Sequence, residues 1–238
     1  MPAVFLVSDT HFGHAGVCRF MRNDGVTKLR PWDNPEEMDE FMVKAWNERV
    51  RPNDKVYHLG DVVINRKALS TLYRLNGDKV LIRGNHDIFR DDEYRQYFRE
   101  LRAYHVMNGM ILSHIPIHPE SLGRFGTNIH GHLHTNRVKK ILGVDVRTGE
   151  FKYSTENDPR YHCVCVEQTD FRPILFEDVI KRIKEETGTA LPMPVGLTLD
   201  EPVVLFIDEK GDANVRNFPD IITDFNGKEI DNFVFEPK

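Results

Sequence analysis

The chain has 238 residues, of which 40% are hydrophobic and 29% charged, so it can bury the core of a globular domain and is not a disordered protein. Its formal net charge of -5 argues against a broad basic surface that binds duplex nucleic acid. The number of cysteines is odd, which argues against a framework of disulfides. The chain does not start with a basic segment and has no apolar run long enough to span a bilayer. We therefore expect a cytoplasmic protein without disulfides or membrane contact.

The first half of the chain alternates short apolar runs with amphipathic segments. The apolar runs predict buried strands at residues 3–7, 56–59 and 79–83. The amphipathic segments predict helices near residues 34–50, 66–74 and 92–102. In the first helix Asn34 is a suitable N-cap and Pro35 suits the first helical position, while the following apolar residues fall on one face.

Strands predominate in the second half. They are predicted at residues 110–112, 127–130, 141–146 and 161–166, with a closing helix at 177–186. Such an order favours two sheets with helices outside. The chain then becomes rich in Gly, Pro and Thr, and two apolar segments around a Lys-Gly-Asp turn predict a β-hairpin. We therefore expect a domain over residues 1–186 and a C-terminal extension over residues 187–238.

Five turns that follow predicted strands carry the polar residues of greatest interest. Their sequences are SDTHFGH, HLGDV, RGNHD, LSH and HGHLH, and their candidate metal ligands are Asp9, His11, Asp61, Asn85, His114, His132 and His134. Loops at the carboxyl ends of parallel strands meet in one crevice, so these side chains can converge. Asp, His and Asn without thiolate suit Mn²⁺, Fe²⁺, Zn²⁺ or Ni²⁺. The donors exceed the needs of one ion and suit two ions roughly 3.5 to 4 Å apart, bridged by a carboxylate.

The alternative interpretation is that these residues only shape turns and cap strand ends, as Asp and Asn often do. For any single residue the two interpretations are equally good, but the whole set favours a metal centre. His130 points away from His132 in an extended segment, so we expect it to pack or to bond the backbone. His58 lies within a predicted strand and is expected to pack beneath the site.

The motifs D-x-H, G-D, G-N-H-D, S-H and G-H-x-H, in this order, resemble the calcineurin-like metallophosphoesterase superfamily. The opening SDTHFGH together with YHLGDV is further similar to a compact bacterial and phage-type branch. The motifs span residues 9–134, and the resemblance extends to about residue 180. It implies an α/β fold, a four-layer αββα sandwich with two mixed β-sheets flanked by helices. The short β-containing extension expected after residue 186 lies outside the resemblance.

The resemblance also implies roles for the site residues. One metal site would use Asp9, His11, Asp61 and His134. The other would use Asp61, Asn85, His114 and His132, so that Asp61 bridges two divalent ions. His86 matches the residue that protonates the leaving oxygen, and Asp87 the carboxylate that orients it. The implied reaction is attack on phosphorus by a metal-bridging hydroxide. Mn²⁺ is the expected ion, with Fe, Zn or Ni as alternatives.

The substrate is expected to be a small phosphorylated molecule such as a nucleotide, and a phosphodiester rather than a phosphomonoester. Asn85, His14, His118 and Arg124 are the candidates to contact it, although the last three also suit exposed loops. Among the alternatives, a protein phosphatase typically has G-D-x-x-D-R-G where this chain has GDVVINR. The acidic net charge argues against a nuclease. A non-catalytic scaffold is a further alternative. The extension suits a homodimerisation arm, a lid over the site or a partner-binding hairpin.

Overall fold

A computed structural model describes residues 2–145, 147–148 and 150–188 and the backbone of four short strands between residues 204 and 230; the side chains of Arg124 and Val144 are outside this description. The chain divides into two compact units. The first comprises Met1–Lys140 and Thr155–Gly196, and the second Ile141–Ser154 and Leu197–Lys238. The candidate site residues all belong to the first unit.

The elements are numbered in chain order. The strands are β1 (Val4–Val7), β2 (Lys55–His58), β3 (Asp78–Ile82), β4 (Glu100–Arg102), β5 (Tyr104–Met107), β6 (Met110–Ser113), β7 (Thr127–His130), β8 (Lys139–Val144), β9 (Phe151–Asn157), β10 (Tyr161–Cys163), β11 (Ile174–Leu175), β12 (Val204–Ile207), β13 (Ala213–Arg216), β14 (Ile222–Thr223) and β15 (Glu229–Ile230). The α-helices are α1 (Pro35–Arg49), α2 (Asp91–Tyr94) and α3 (Phe176–Thr187). Short 3-10 helices cover Arg66–Arg74, Pro119–Arg124 and Val166–Gln168.

Two mixed sheets form the body of the first unit. The first has the order β11-β1-β2-β3-β4, with β1 to β4 parallel and β11 antiparallel to β1. The second has the order β10-β7-β6-β5, with β5 antiparallel to β6 and the other pairs parallel. The parallel strands β1, β2 and β3 therefore end at one edge, and the motif-bearing turns follow them.

The period of two along β1 assigns its side chains to two cores. Phe5 and Val7 join the core that contains Trp46 of α1, while Leu6 joins the core between the sheets with Leu112 of β6. On the outer face of the second sheet, Ile111 packs with Leu122 of a 3-10 helix and with Tyr161. Helices thus flank two mixed sheets, and the predicted α/β fold class is confirmed.

Helix α1 begins as its sequence predicts. The Asn34 side chain accepts a hydrogen bond of 2.9 Å from the backbone N–H of Glu37, and Pro35 opens the helix. This bond satisfies one of the amides that a helix start leaves without a partner. The segment 66–74 is helical within the expected bounds, but its helix is of the 3-10 type.

The helix expected over residues 92–102 is wrong. Only Asp91–Tyr94 is α-helical, and Glu100–Arg102 forms β4, which pairs in parallel with β3. Tyr94 and Phe98 are buried with the helical spacing of four, which explains the misleading pattern. Pairing with the edge of the first sheet outweighs this local preference. Strands β5, β9 and β11 are further elements that the sequence reading missed.

In the extension, β12 pairs antiparallel with β13 from Val204 opposite Arg216 to Ile207 opposite Ala213. The expected Lys-Gly-Asp turn lies outside the described residues. The boundary near residue 186 stays a prediction. None of the described helices combines the length and the apolar character needed to cross a membrane.

Candidate metal centre

The pairing between β1 and β2 continues beyond the ends of both strands. The backbone N–H of Asp9 donates to the carbonyl of Gly60 at 2.9 Å, and that of His11 donates to the carbonyl of Asp61 at 3.0 Å. The first two motif turns therefore run side by side at the carboxyl edge of the sheet. This continuation brings Asp9, His11 and Asp61 together although about 50 residues separate them in the chain.

Five site residues have a left-handed backbone that non-glycine residues rarely adopt. Their φ angles are 59° at Asp9, 50° at His11, 57° at Asp61, 68° at His132 and 51° at His134. Each such residue costs on the order of 1–3 kcal/mol and persists where the surrounding structure over-determines it, typically at functional sites. Asp and His are among the residues that tolerate this region best. The left-handed backbone of these turns lowers the stability of the fold and orients the polar side chains towards the site.

The first cluster consists of Asp9, His11 and His134. The Asp9 Oδ1 lies 3.7 Å from His11 Nε2 and 4.0 Å from His134 Nε2. The Asp61 Oδ2 lies 3.8 Å from the same His11 nitrogen. Four donors of the predicted first metal site are therefore neighbours in space.

The second cluster consists of Asp61, His114 and His132. The His114 Nε2 lies 3.4 Å from Asp61 Oδ2, 2.9 Å from Asn85 Oδ1 and 3.3 Å from His132 Nδ1. On the other side of the ring, His114 Nδ1 must donate to the carbonyl of Leu59 at 2.8 Å, because a carbonyl only accepts. The Nε2 of His114 is therefore the nitrogen free to bind an ion.

Both clusters fit divalent cations. Ligands about 2.0–2.2 Å from a tetrahedral ion lie roughly 3.3–3.6 Å apart, which is close to the separations found here. The Asp9 Oδ1 is buried and has no hydrogen-bond partner among the described residues, as expected of an oxygen that serves an ion. Its Oδ2 accepts from the Ser8 hydroxyl at 2.5 Å and the His132 N–H at 2.8 Å. One oxygen is thus held by the protein while the other faces the imidazoles.

Local charges keep the carboxylates ionised. Burial alone would raise the pKa of Asp9, but the hydrogen bond and charge of His11 and the nearby imidazoles outweigh it and hold the pKa far below its usual range. The pKa of Asp61 is likewise lowered by His114 against the effect of burial. For His11, burial lowers the pKa and favours the neutral ring. Ionised carboxylates and a neutral imidazole are the forms that bind metal.

The G-N-H-D turn faces the second cluster. Asn85 and His86 are exposed, and the His86 ring lies 5.7 Å from that of His11. The backbone N–H of His86 donates to Asp61 Oδ1 at 2.8 Å, which leaves Asp61 Oδ2 for the imidazoles. An accessible imidazole beside the clusters is suitably placed to exchange a proton with a bound ligand.

The structure differs from the expectation that Asp87 orients the His86 ring. Asp87 is 2% exposed, and its Oδ2 accepts from the backbone N–H groups of Asp61 and Gly84, each at 2.8 Å. Its Oδ1 accepts from the Val62 N–H at 3.0 Å and from the Tyr94 hydroxyl at 3.5 Å. The carboxylate joins two ligand-bearing turns through their backbones, and its hydrogen bonds among the described residues do not reach the His86 imidazole.

The remaining candidates for contact with the substrate are His14, His118 and Arg124. The His14 ring lies 5.6 Å from the His11 ring, and burial followed by nearby positive charges lowers its pKa to about 4. His118 is the N-cap of the 3-10 helix Pro119–Arg124, and its contacts run to Glu120 rather than to either cluster of the described residues. The side chain of Arg124 lies outside the described residues.

Sequence reasoning missed a buried ion pair behind the first cluster. Glu167 Oε1 accepts from His134 Nδ1 at 3.0 Å and from Arg30 Nε at 2.8 Å. The Arg30 guanidinium also donates to the carbonyls of Thr10 at 2.8 Å and Asp9 at 2.5 Å. The pair therefore connects His134 with the first motif turn and directs Nε2 of that ring towards Asp9.

The signal for this pair in the sequence is weak. Glu167 ends the apolar stretch HCVCVE, where a charged residue is unusual, and Arg30 lies in a polar loop without periodicity. Cys165 lies in the strand that the sequence predicts over residues 161–166. Its buried thiol lies 3.2 Å from Asp9 Oδ2, which makes it a further member of the surroundings of Asp9.

Gly60 is required by the close approach of the second and third turns. Its φ is 93°, and an added Cβ would lie 2.6 Å from both the Gly84 nitrogen and His114 Nδ1. Real Cβ atoms do not approach that closely, and the backbone conformation is one that side chains rarely adopt. The glycine of this motif therefore allows His114 to reach the site.

Comparisons with known proteins find relatives of this chain. The family model of calcineurin-like phosphoesterases matches residues 3–179. An uncharacterized protein of Methanocaldococcus jannaschii is 32% identical over 189 residues, covering 78% of this chain and 93% of that protein. The gene 66 protein of Mycobacterium phage D29 is 35% identical over 92 residues, covering 37% of this chain and 41% of that protein. A crystal structure of a protein of unknown function from Aquifex aeolicus has a TM-score of 0.51 and 25% identity, covering 76% of this chain and 99% of that one.

Proposed function

The chain belongs to the calcineurin-like phosphoesterase family, a family of metal-dependent phosphoester hydrolases, and from this premise we propose that it is a phosphodiesterase with a two-metal centre. The observation that carries the proposal is the position of Asp61 Oδ2, 3.8 Å from His11 Nε2 of one cluster and 3.4 Å from His114 Nε2 of the other. A carboxylate oxygen shared in this way suits two ions held close together.

Asp9, His11 and His134 would hold the first ion, Asn85, His114 and His132 the second, and Asp61 both. When bound, the ions would supply positive charge that polarises the phosphoryl oxygens and lowers the pKa of water. The oxygen and nitrogen donors suit borderline divalent ions, and we propose Mn²⁺ with Fe, Zn or Ni as alternatives.

His86 would carry the proton that the leaving oxygen needs. Its ring is exposed and lies 5.7 Å from that of His11, so it can approach a substrate at the clusters. Asp87 would hold the turn that carries His86 against the turn that carries Asp61, because its carboxylate accepts three backbone N–H bonds from these turns and none from the His86 ring. It is therefore a positioning residue for the turn.

A small phosphorylated molecule in the cytoplasm, such as a nucleotide, is the proposed substrate. Asn85, His14, His118 and Arg124 remain the proposed substrate contacts, and the position of His14 beside His11 supports its inclusion. We also propose that the chain belongs to a compact bacterial and phage-type branch of the family. The 92-residue likeness to the phage D29 protein supports this assignment.

The first test is hydrolysis of bis-p-nitrophenyl phosphate and p-nitrophenyl phosphate by protein stripped of metal. Activity is expected to be absent after chelation and to return with Mn²⁺ more than with Mg²⁺, because imidazole donors favour the borderline ion. The diester is expected to be hydrolysed faster than the monoester. Turnover that persists after complete chelation would contradict a metal-dependent mechanism, and faster monoester hydrolysis would contradict the diesterase assignment.

Replacing Glu167 with Gln is expected to weaken Mn²⁺ binding about 10- to 100-fold, which is the usual effect of losing a carboxylate behind a metal-binding histidine. The physical reason is that Glu167 fixes the His134 ring and balances the buried Arg30. Titration of the metal-stripped protein with Mn²⁺, below its unfolding temperature, measures the effect directly.

The matched control is Glu177→Gln on the exposed start of α3, which removes the same charge away from the site. It should leave the Kd for Mn²⁺ unchanged. If Glu167→Gln lowers the unfolding temperature but binds Mn²⁺ with the affinity of the parent protein, the ion pair supports the fold and not the metal site.

A further inference from the structure

A cleft of about 680 Å³ opens directly beside the second cluster. We call it the edge cleft, and its walls include Asn85, His114, Leu101, Tyr104, Ile115 and Ile117. The first two are candidate metal ligands, and the other four are hydrophobic. A group attached to a phosphate bound at Asn85 and His114 can therefore extend into this cleft without leaving the site.

Two of the hydrophobic side chains of the edge cleft are exposed. Tyr104 is 58% exposed and Ile115 is 54% exposed. The backbone of the Ile115 loop is fixed on both sides, because its carbonyl accepts from the Ser113 hydroxyl at 2.7 Å and the Ile117 N–H donates to Asn128 Oδ1 at 3.0 Å. A loop whose backbone is already fixed binds a ligand at a lower ordering cost.

The two arginines that line the edge cleft are already engaged. Arg83 donates to Asp91 at 2.5 Å and to the Phe89 carbonyl at 2.7 Å, and Arg102 bonds Glu100 and His105. Asp91 also lines the cleft, and it and Glu100 balance the two guanidinium charges, so neither arginine is left as an unpaired cation for a second phosphate or carboxylate. The walls are therefore suited to an uncharged group.

We propose that the edge cleft binds an uncharged apolar substituent, such as an aromatic ring, on the phosphoester whose phosphate lies at Asn85 and His114. This inference rests on the proposed function, since it requires a phosphoryl group at the second cluster. It names the substrate class as a phosphoester with a bulky apolar group rather than one with a further charged group. Tyr104 and Ile115 would determine that specificity.

The experiment compares phenylphosphonate with methylphosphonate as ligands of the Mn²⁺-loaded protein. Neither compound has an ester bond that could be hydrolysed. Calorimetric titration measures the Kd of each directly, and competition against bis-p-nitrophenyl phosphate hydrolysis measures its inhibition constant. Phenylphosphonate is expected to bind about 10- to 100-fold more tightly, the range that one apolar group contributes in a hydrophobic pocket. Tyr104→Ser and Ile115→Ser should each remove most of this advantage and leave methylphosphonate binding unchanged.

Tyr73→Ser is the matched control, because Tyr73 is 66% exposed and lies outside the edge cleft. Equal binding of the two phosphonates by a protein that hydrolyses the diester would overturn this inference alone. Tighter binding of phosphonoacetate than of phenylphosphonate would overturn it as well, since that ligand carries a second charge. If neither phosphonate binds and no ester is hydrolysed, the proposed function fails together with the inference.

Discussion

Asp61→Asn is expected to lower kcat/KM for bis-p-nitrophenyl phosphate by on the order of 10³-fold or more. Asp61 Oδ2 borders both clusters, because it lies 3.8 Å from His11 Nε2 and 3.4 Å from His114 Nε2. An amide has the same shape but no negative charge to offset two cations. We therefore expect loss of metal from both sites, measured by elemental analysis after dialysis against Mn²⁺.

The control for this substitution is Asp178→Asn, which makes the same chemical change on the exposed first turn of α3. It should retain two equivalents of Mn²⁺ and the parent kinetics. In the parent protein Asp61 Oδ1 accepts a hydrogen bond of 2.8 Å from the His86 N–H. The amide oxygen of Asp61→Asn can accept the same bond, so the turn that carries His86 should keep its conformation. Full metal content with full activity in Asp61→Asn would contradict a bridging role.

His86→Ala is expected to lower kcat by about 10²- to 10⁴-fold, the usual contribution of a general acid, while metal content stays at the parent value. His86 is exposed and is not a member of either cluster. The loss should be larger for an ester with an alkoxide leaving group than for a p-nitrophenyl ester, because a poor leaving group depends more on protonation. Steady-state kinetics with both esters measures the difference.

Two measurements separate this role from a structural one. Added imidazole should restore part of the activity of His86→Ala, since the site of the lost ring is open to solvent. Elemental analysis should find the same Mn²⁺ content as in the parent protein. Loss of metal from the variant would mean that His86 is a ligand, and failure of imidazole rescue with equal losses on both esters would contradict the general-acid role.

Much of the fold follows from local patterns. The strands at residues 3–7 and 56–59 are predicted from short apolar runs, and Asn34 is predicted as the cap of α1 from its side-chain chemistry. Such features depend on neighbours a few residues away. The helix predicted over residues 92–102 is wrong because the pairing of β4 with β3 is not local: it joins residues about 20 positions apart.

The convergence of Asp9, Asp61 and Asn85 was likewise predictable, because the parallel strands β1, β2 and β3 end at one edge and these residues follow them. The orientation of the side chains was not predictable. His130 and His132 were expected to alternate along an extended segment, yet His132 has a left-handed backbone, as do Asp9, His11 and His134. His132 and His134 accordingly join different clusters.

The sequence by itself determined the residue types of the site, their order and the strands that precede them, because these depend on local chemistry and on the periodicity of the chain. Only the tertiary structure decided which atoms meet. It directs the Asp87 carboxylate to three backbone amides, couples Arg30 with Glu167 behind His134, and opens the apolar cleft beside Asn85. These contacts join residues that are distant in the chain, so their pairing depends on the packed fold and leaves no periodic signal in the sequence.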